Sequence, residues 1–406
     1  MDTGAAYRLT LLALGALLAF APAELLARGY GFDRQKQRAP ERTGRFPASD
    51  WERPQRAVLD GFLHAYQPCV LETGDRDYPY RMWFFGWIVD PTNPEYPGCD
   101  AIYHARSRDL DHWEVLCRDG SWNAGQPEEW ASILFASSDD ERLYYNAWHV
   151  GDPSVVFRDG VYYMAFSSTS KPFDGPVEGY PSGMMLCVMG ATSVDGVHWR
   201  KREEPLLIAA ADSVFPPAAD AARAGDFHRP TLMWDETRRV WRLYFDYYDA
   251  SVPGNCHMGL AECAGDFRTG RFSVVHPLGE PLLDNWPNPE VVKIDGSYYC
   301  FSDPPGYAPG GGPQPSSGWD SRQLRMATSG DGVRWRKREF IPPDPGIAAC
   351  QVPQAFVCRR NGHRWLYLFY ATQIGRRDNG RTYEWLPAGE YNWFYDQIRY
   401  MRQRID

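Results

Sequence analysis

DPSVVFRDGVYYMAF, from Asp152 to Phe166, is the stretch whose reading decides the fold. It opens on an X-Pro pair, continues as a short apolar strand, turns at Asp159-Gly160 and returns as an aromatic-rich strand. The same unit occurs five times. The X-Pro pairs are Gln67-Pro68, Asp152-Pro153, Arg229-Pro230, Asn288-Pro289 and Val352-Pro353. The strand pairs after the prolines read CVLETGDRDYPYRMWFFGW, SVVFRDGVYYMAF, TLMWDETRRVWRLYF, EVVKIDGSYYCFS and QAFVCRRNGHRWLYLFY. A third strand follows in each unit: AIYHARS, LCVMGATS, MGLAECA, QLRMATS and DQIRYMRQ. Four units then add a turn and a short outer strand: DLDHWEVL, DGVHWRKR, DFRTGRFSVV and DGVRWRKREF. Gly196 and Gly332 supply the positive φ that tight hairpins demand. Repeats of this length built only from strands are propeller blades. The predicted fold is therefore all-β, a five-bladed β-propeller over residues 56–406, and five matched units argue against a twisted sandwich. The fifth unit lacks an outer strand, so a segment before Gln67, around Arg56–Phe62, is expected to complete it and close the ring.

Composition fits one large ring. The chain has 406 residues, 44% hydrophobic and 15% aromatic. Length alone permits two or three domains, but blades share one closed architecture. The net charge is −9. The basic runs RKREE and RKREF fall on outer strands, where charge protects an exposed edge. Nucleic acid is thus excluded as the expected partner. Most of the 16 Trp and 24 Tyr are expected to pack between blades, and the remainder to stack on sugar rings. Nine cysteines, an odd number, permit disulfides but leave at least one free thiol. Neither zinc-ligand spacing nor a nucleotide-binding Gly-rich loop is present.

The N-terminus reads differently. Arg8 precedes an apolar run from Leu9 to Ala23, too short for a full membrane span but suited to a signal peptide. Ala21-Pro22-Ala23 resembles a cleavage site. Residues 1–27 are expected to be a signal peptide or uncleaved anchor, residues 28–55 a polar linker, and the propeller extracytoplasmic. Any membrane attachment is expected through this segment alone.

Topology places a site. The innermost strand of each blade crosses the channel from one face to the other, and the second returns. The loops between second and third strands then share a face with the X-Pro pairs. They span about 88–100, 169–184, 249–256, 303–320 and 372–395 and carry Trp385 and Trp393, among other aromatics. Asp152 and Glu290 are expected to face each other across the channel, with Arg229 nearby, because residues two apart in a strand share a side. Paired carboxylates are what glycosidic hydrolysis needs, one to protonate the leaving oxygen and one to activate water. Asp152, Glu290 and His228 are the catalytic candidates. Arg229, His149, Gln67, Gln354, Trp286, Trp385 and Trp393 are the substrate-binding candidates.

The order DPSVVFRDGVYYMAF followed by ATSVDGVHW, with the YRMWF unit and the recurring SxDGxxW hairpins, resembles the five-bladed glycoside hydrolases of families 43, 32, 68, 62 and 117. The resemblance runs from about residue 60 to the end. It implies an Asp before Pro in blade one, a second in blade two, and a Glu two residues before Pro in blade three. Asp152 matches the second. Gln67 stands at the first position and His228 at the third, leaving Glu72, Asp75 or Asp77 as alternative bases. Family 117-like enzymes use a His as acid, which implies that role for His228. The implied activity is inverting hydrolysis of an O-glycosidic bond in an oligosaccharide or polysaccharide, without a required cofactor. A structural calcium ion in the channel is compatible with this reading. The alternative is a carbohydrate-binding propeller without catalysis.

Overall fold

The computed structural model describes residues 50–54, 56–59, 63–87, 100–135, 149–169, 186–208, 227–247, 256–304, 324–341, 349–373, 376–378, 382–384 and 396–406. Their architecture is almost entirely strands; the helical element among them is a short 3-10 turn at Pro127–Glu129. Five antiparallel sheets make five blades. Blade one comprises β1 (Leu63–Glu72), β2 (Tyr80–Trp87), β3 (Asp100–Ser107), β4 (Trp113–Leu116), β5 (Trp122–Asn123) and β6 (Ser132–Phe135). Blade two comprises β7 (His149–Arg158), β8 (Val161–Thr169), β9 (Leu186–Ser193), β10 (Arg200–Lys201) and β11 (Leu207–Ile208). Blade three comprises β12 (His228–Asp235), β13 (Val240–Tyr247), β14 (His257–Cys263) and β15 (Ser273–Val274). Blade four comprises β16 (Glu290–Ile294), β17 (Ser297–Ser302), β18 (Arg325–Ser329) and β19 (Trp335–Phe340). Blade five comprises β20 (Ala349–Arg360), β21 (His363–Gln373) and, after a small hairpin of β22 (Arg376–Asp378) and β23 (Thr382–Glu384), β24 (Asp396–Arg404). Blades one and two exceed the expected four strands because β5 pairs with β4, and β6 and β11 pair along the outer edges of β3 and β9.

The ring closes through the N-terminal segment. Glu52 pairs with Arg402 and Leu59 with Ile398, both antiparallel on the free edge of β24. Trp51 adds an edge-on contact to Phe301 of blade four. Covering this edge removes a row of unpaired backbone groups that would otherwise recruit another strand.

The X-Pro pairs do not simply open the inner strands. In β1, β7, β12 and β20 they lie inside the strand, at a register shift in its pairing with the second strand. Proline has no N–H for the ladder, and a bulge on the channel-side edge accommodates it. The preceding residue is left-handed in all five blades, with φ of 37° at Gln67, 52° at Asp152, 47° at Arg229, 48° at Asn288 and 46° at Val352. Non-glycine residues held there cost about 1–3 kcal/mol each. A ring of five such residues is a local expense repeated with five-fold order.

Aromatic and aliphatic side chains fill each gap between blades. Trp83 of blade one packs with Tyr162 and Met164 of blade two, Tyr163 of blade two with Trp241 of blade three, and Met401 of blade five with Phe301 of blade four. Three outer hairpins repeat one turn. Ser107, Ser193 and Ser329 accept two backbone N–H bonds each, and Asp109, Asp195 and Asp331 accept two more. The carbonyl of Gly196 accepts Trp83 Nε1 at 2.9 Å, and that of Gly332 accepts the Tyr244 hydroxyl at 2.9 Å. Each of these two turns is thus tied to the blade before it. Cys69, Cys117, Cys187, Cys256, Cys263, Cys300 and Cys358 are free thiols.

Candidate functional site

The five inner strands enclose a cavity of about 320 Å³ that runs from Gln67 at the X-Pro end to Glu72 and Phe157 at the far end. Two rings of side chains are stacked at the X-Pro end. The outer ring is the left-handed set itself: Gln67, Asp152, Arg229, Asn288 and Val352. The inner ring is the residue after each proline: Cys69, Ser154, Thr231, Glu290 and Gln354.

The outer ring is held from behind by the second strands. The backbone N–H of Arg229 donates to Ser167 Oγ at 2.7 Å, that of Asn288 to Asp246 Oδ2 at 2.9 Å, and that of Val352 to Asp303 Oδ2 at 3.2 Å. Ser167, Asp246 and Asp303 occupy equivalent positions in successive blades, one strand back. At the equivalent positions of blades one and five stand Phe85 and Ala371, which form an apolar patch with Tyr66 and Val352. The channel mouth therefore has a polar side on blades two to four and an apolar side on blades five and one. A sugar ring has the same two characters, hydroxyl edges and a C–H face.

Asp246 does more than hold Asn288. It is fully buried, its Oδ1 lies 2.5 Å from His228 Nδ1, and its Oδ2 accepts Arg229 Nη1 at 3.3 Å. Burial pushes its carboxyl upward, but the His228 and Arg229 charges and the Asn288 N–H outweigh that and hold it below the usual carboxylate range. Asp246 is thus a fixed negative charge. With Nδ1 committed to it, the Nε2 edge of His228 has no partner among the described residues. Arg229 is half-buried, its side chain 15% exposed; desolvation costs the charged form, but Asp246, Tyr66 and Asp152 more than compensate and keep the guanidinium firmly charged. Among the described residues its Nε has no hydrogen-bond partner, and neither do Oε1 of Gln67 and Oδ1 of Asn288; the His228 Nδ1–Asp246 Oδ1 approach is a close ion contact and not an aligned hydrogen bond. Buried polar atoms left open in one ring mark a place where a polar ligand completes the bonding.

The predicted residues therefore divide. His228 and Arg229 share the Asp246 carboxylate, and Asp152 acts electrostatically on Arg229. Gln67 faces the cavity beside them. His149 lies next to the mouth, its ring 5.7 Å from Phe85 and folded over the Gly151 backbone. The left-handed bulge breaks the two-residue alternation, so Asp152 belongs to the outer ring and Glu290 to the inner. Both Glu290 oxygens are engaged, Oε1 by Ala355 N–H at 3.1 Å and Oε2 by Thr231 Oγ1 at 3.0 Å. Gln354 lines the cavity but is committed to the fold, its Oε1 accepting Val70 N–H at 3.2 Å and its Nε2 donating to the Ala355 carbonyl. Trp286 is a correction. It is fully buried between blades three and four and donates Nε1 to Cys300 Sγ at 3.2 Å, so it is core and not a sugar platform. Glu72, Asp75 and Asp77 are also corrected as substitute bases. They sit at the far end of β1 and in the following turn, where Asp75 holds Arg81 at 2.8 Å. Trp385 and Trp393 lie outside the described residues.

Asp246 and Asp303 were missed by sequence reasoning, which looked along the inner strands. The available signal was an Asp two residues beyond the partner of the post-proline residue, recurring in blades three and four. Among the described residues no group of three or more His, Cys, Asp or Glu side chains is arranged to hold a metal ion.

No family model matches the chain, and no curated protein matches it by sequence. Solved structures do match it. A thermostable family-43 glycoside hydrolase superposes with TM-score 0.51 at 15% identity, over 85% of this chain and 91% of its own. A family 117 glycoside hydrolase from Zobellia galactanivorans superposes with TM-score 0.51 at 12% identity, over 87% and 89%. The fold is that of the propeller glycoside hydrolases. An N-acetylgalactosamine deacetylase from F. plautii, in complex with a blood group B trisaccharide, shares it as well, with TM-score 0.52 at 16% identity over 87% and 93%. At these identities the likeness is one of fold, and function must be argued from the site.

Proposed function

We propose that this protein is a glycosidase that hydrolyses an O-glycosidic bond at the X-Pro mouth of its channel. The observation that carries the reading is the His228–Asp246 contact, which fixes the imidazole and leaves Nε2 for the substrate. In the proposed reaction Asp152 takes a proton from water as its oxygen bonds to the anomeric carbon. The bond to the leaving oxygen breaks, and that oxygen takes the proton from His228 Nε2. Asp246 orients the imidazole through Nδ1, as a buried carboxylate does beneath other catalytic histidines. Arg229, Gln67 and Asn288 offer one donor and two acceptors to sugar hydroxyls, and His149 borders the same space. Attack from the side opposite the leaving group inverts the anomeric centre. The sequence left the acid open between Glu290 and His228; engagement of both Glu290 oxygens favours His228.

The substrate is an oligosaccharide or polysaccharide met outside the cytoplasm, after export by the 1–27 segment as signal peptide or anchor. Asp152→Asn tests the reading. Loss of acid–base help is expected to lower turnover at least ~10²-fold without changing the fold. Unchanged turnover on a confirmed substrate removes Asp152 from the mechanism. One observation favours a second reading, a sugar-binding propeller: Gln67 stands where the family resemblance implies a base. Sugar binding by the wild type without turnover of any glycoside or acetylated sugar selects that reading.

A further inference from the structure

The inner ring ties each blade to the next. Val155 N–H donates to Cys69 Sγ at 3.2 Å, Leu232 N–H to Ser154 Oγ at 2.9 Å, Ala355 N–H to Glu290 Oε1 at 3.1 Å and Val70 N–H to Gln354 Oε1 at 3.2 Å. The junction between blades three and four is different. Thr231 Oγ1 lies 2.5 Å from the Pro289 carbonyl oxygen and 3.0 Å from Glu290 Oε2. A hydroxyl has one hydrogen. A carbonyl oxygen only accepts, so the shorter contact takes that hydrogen. An ionised Glu290 would then set a second bare acceptor against the Thr231 oxygen, with nothing between them. A protonated Glu290 satisfies every atom: Oε2–H donates to Thr231 Oγ1, Thr231 Oγ1–H donates to Pro289, and Oε1 accepts Ala355 N–H.

We infer that Glu290 is a protonated clasp, whose carboxylic acid joins the inner strands of blades three, four and five and whose ionisation loosens the strand carrying His228 and Arg229. The surroundings agree. Glu290 lies within electrostatic reach of the thiols Cys69 of β1 and Cys300 of β17, neither of them a cation. Burial pushes the Glu290 carboxyl up to about 8, against the Ala355 N–H bond that favours its charged form. Glu290 is then a positioning residue: Thr231 lies three residues beyond His228 on one inner strand, and Pro289 follows Asn288, which Asp246 holds.

The folded-state value lies above the unfolded value of 4.5. The clasp's contribution to stability is therefore fully present below about pH 4.5 and is lost as pH rises through the folded value. The test compares the full-length wild type with Glu290→Gln and Glu290→Ala. Glutamine reproduces the neutral acid, with an oxygen for Ala355 and an N–H for Thr231, but cannot ionise. The thermal midpoint of the wild type is expected to fall relative to Glu290→Gln between pH 4.5 and about 8. Parallel midpoints across that window overturn the clasp, whether or not any substrate is known. Turnover, which rests on the function proposed above, is expected to drop on the alkaline side in the wild type. In Glu290→Gln that limb moves upward, and in Glu290→Ala turnover is low at every pH. A Glu290→Gln protein that folds normally but is inactive at every pH makes Glu290 the reacting acid and overturns the inference.

Discussion

Asp246→Asn is the substitution from which the arrangement at the mouth has most to lose. Asparagine keeps the shape and an oxygen for Asn288 N–H, so the structural bond at 2.9 Å survives. What disappears is the charge between His228 at 2.5 Å and Arg229 at 3.3 Å. Removing one partner of a buried ion pair costs about 3–5 kcal/mol. Retention of the Asn288 bond puts the expected loss near the lower end, ~3 kcal/mol, measured by urea unfolding at neutral pH. The loss depends on pH with a definite sign. The Asp246 carboxyl sits below its unfolded value of 3.8, so its contribution is present above that value and drains away on acidification. The acid-side decline in stability is therefore shallower in the variant. Turnover suffers separately, because an amide can hold the imidazole in the wrong tautomer. The corresponding change beneath the histidine of a serine-protease triad costs about 10⁴ in turnover. Here a loss between ~10² and ~10⁴ in kcat is expected, with little change in KM. A variant that unfolds within about 1 kcal/mol of the wild type and turns over normally refutes the role given to Asp246.

Two further predictions concern the scaffold. Gly332 and Gly296 both have positive φ, at 74° and 83°, but a Cβ at Gly332 meets the Tyr244 hydroxyl at 2.5 Å and Arg242 Nη1 at 2.6 Å, whereas at Gly296 it meets nothing within 4 Å. Gly296→Ala is expected to cost about 1 kcal/mol from backbone strain, and Gly332→Ala more by calorimetry; equal losses contradict the turn-to-blade contact. Deleting residues 1–49 is expected to leave a folded monomer, whereas deleting 1–59 strips Glu52 and Leu59 from β24 and exposes its edge to aggregation, read by light scattering; a monodisperse shorter protein contradicts closure by this segment.

Architecture was legible from the sequence because five-fold repetition multiplies a weak local signal. One X-Pro strand says little, but five in the same context specify blades, and the missing outer strand at the C-terminus pointed to an N-terminal partner. The site was legible only in part. Arg229 and His228 stand out in the sequence because the X-Pro pairs mark where the inner strands bulge, and Asp246 holds both. The two-residue alternation behind the Asp152–Glu290 pairing assumes extended backbone, and the left-handed residues before proline interrupt it. Trp286 was read as a platform because composition cannot separate a buried indole from an exposed one. Asp246 was invisible because its partner His228 lies on another strand, and only the register of β12 with β13 puts them opposite each other.

The central claim is that His228, held by Asp246, gives its proton to the leaving oxygen of a glycoside. The most direct measurement compares wild type and His228→Ala on two glycosides of the same sugar, one with an aryl leaving group that departs without protonation and one with an alkyl group that needs it. The account predicts that the variant loses at least ~10²-fold on the alkyl glycoside and far less on the aryl one. Equal losses on both, or none on either, would contradict it.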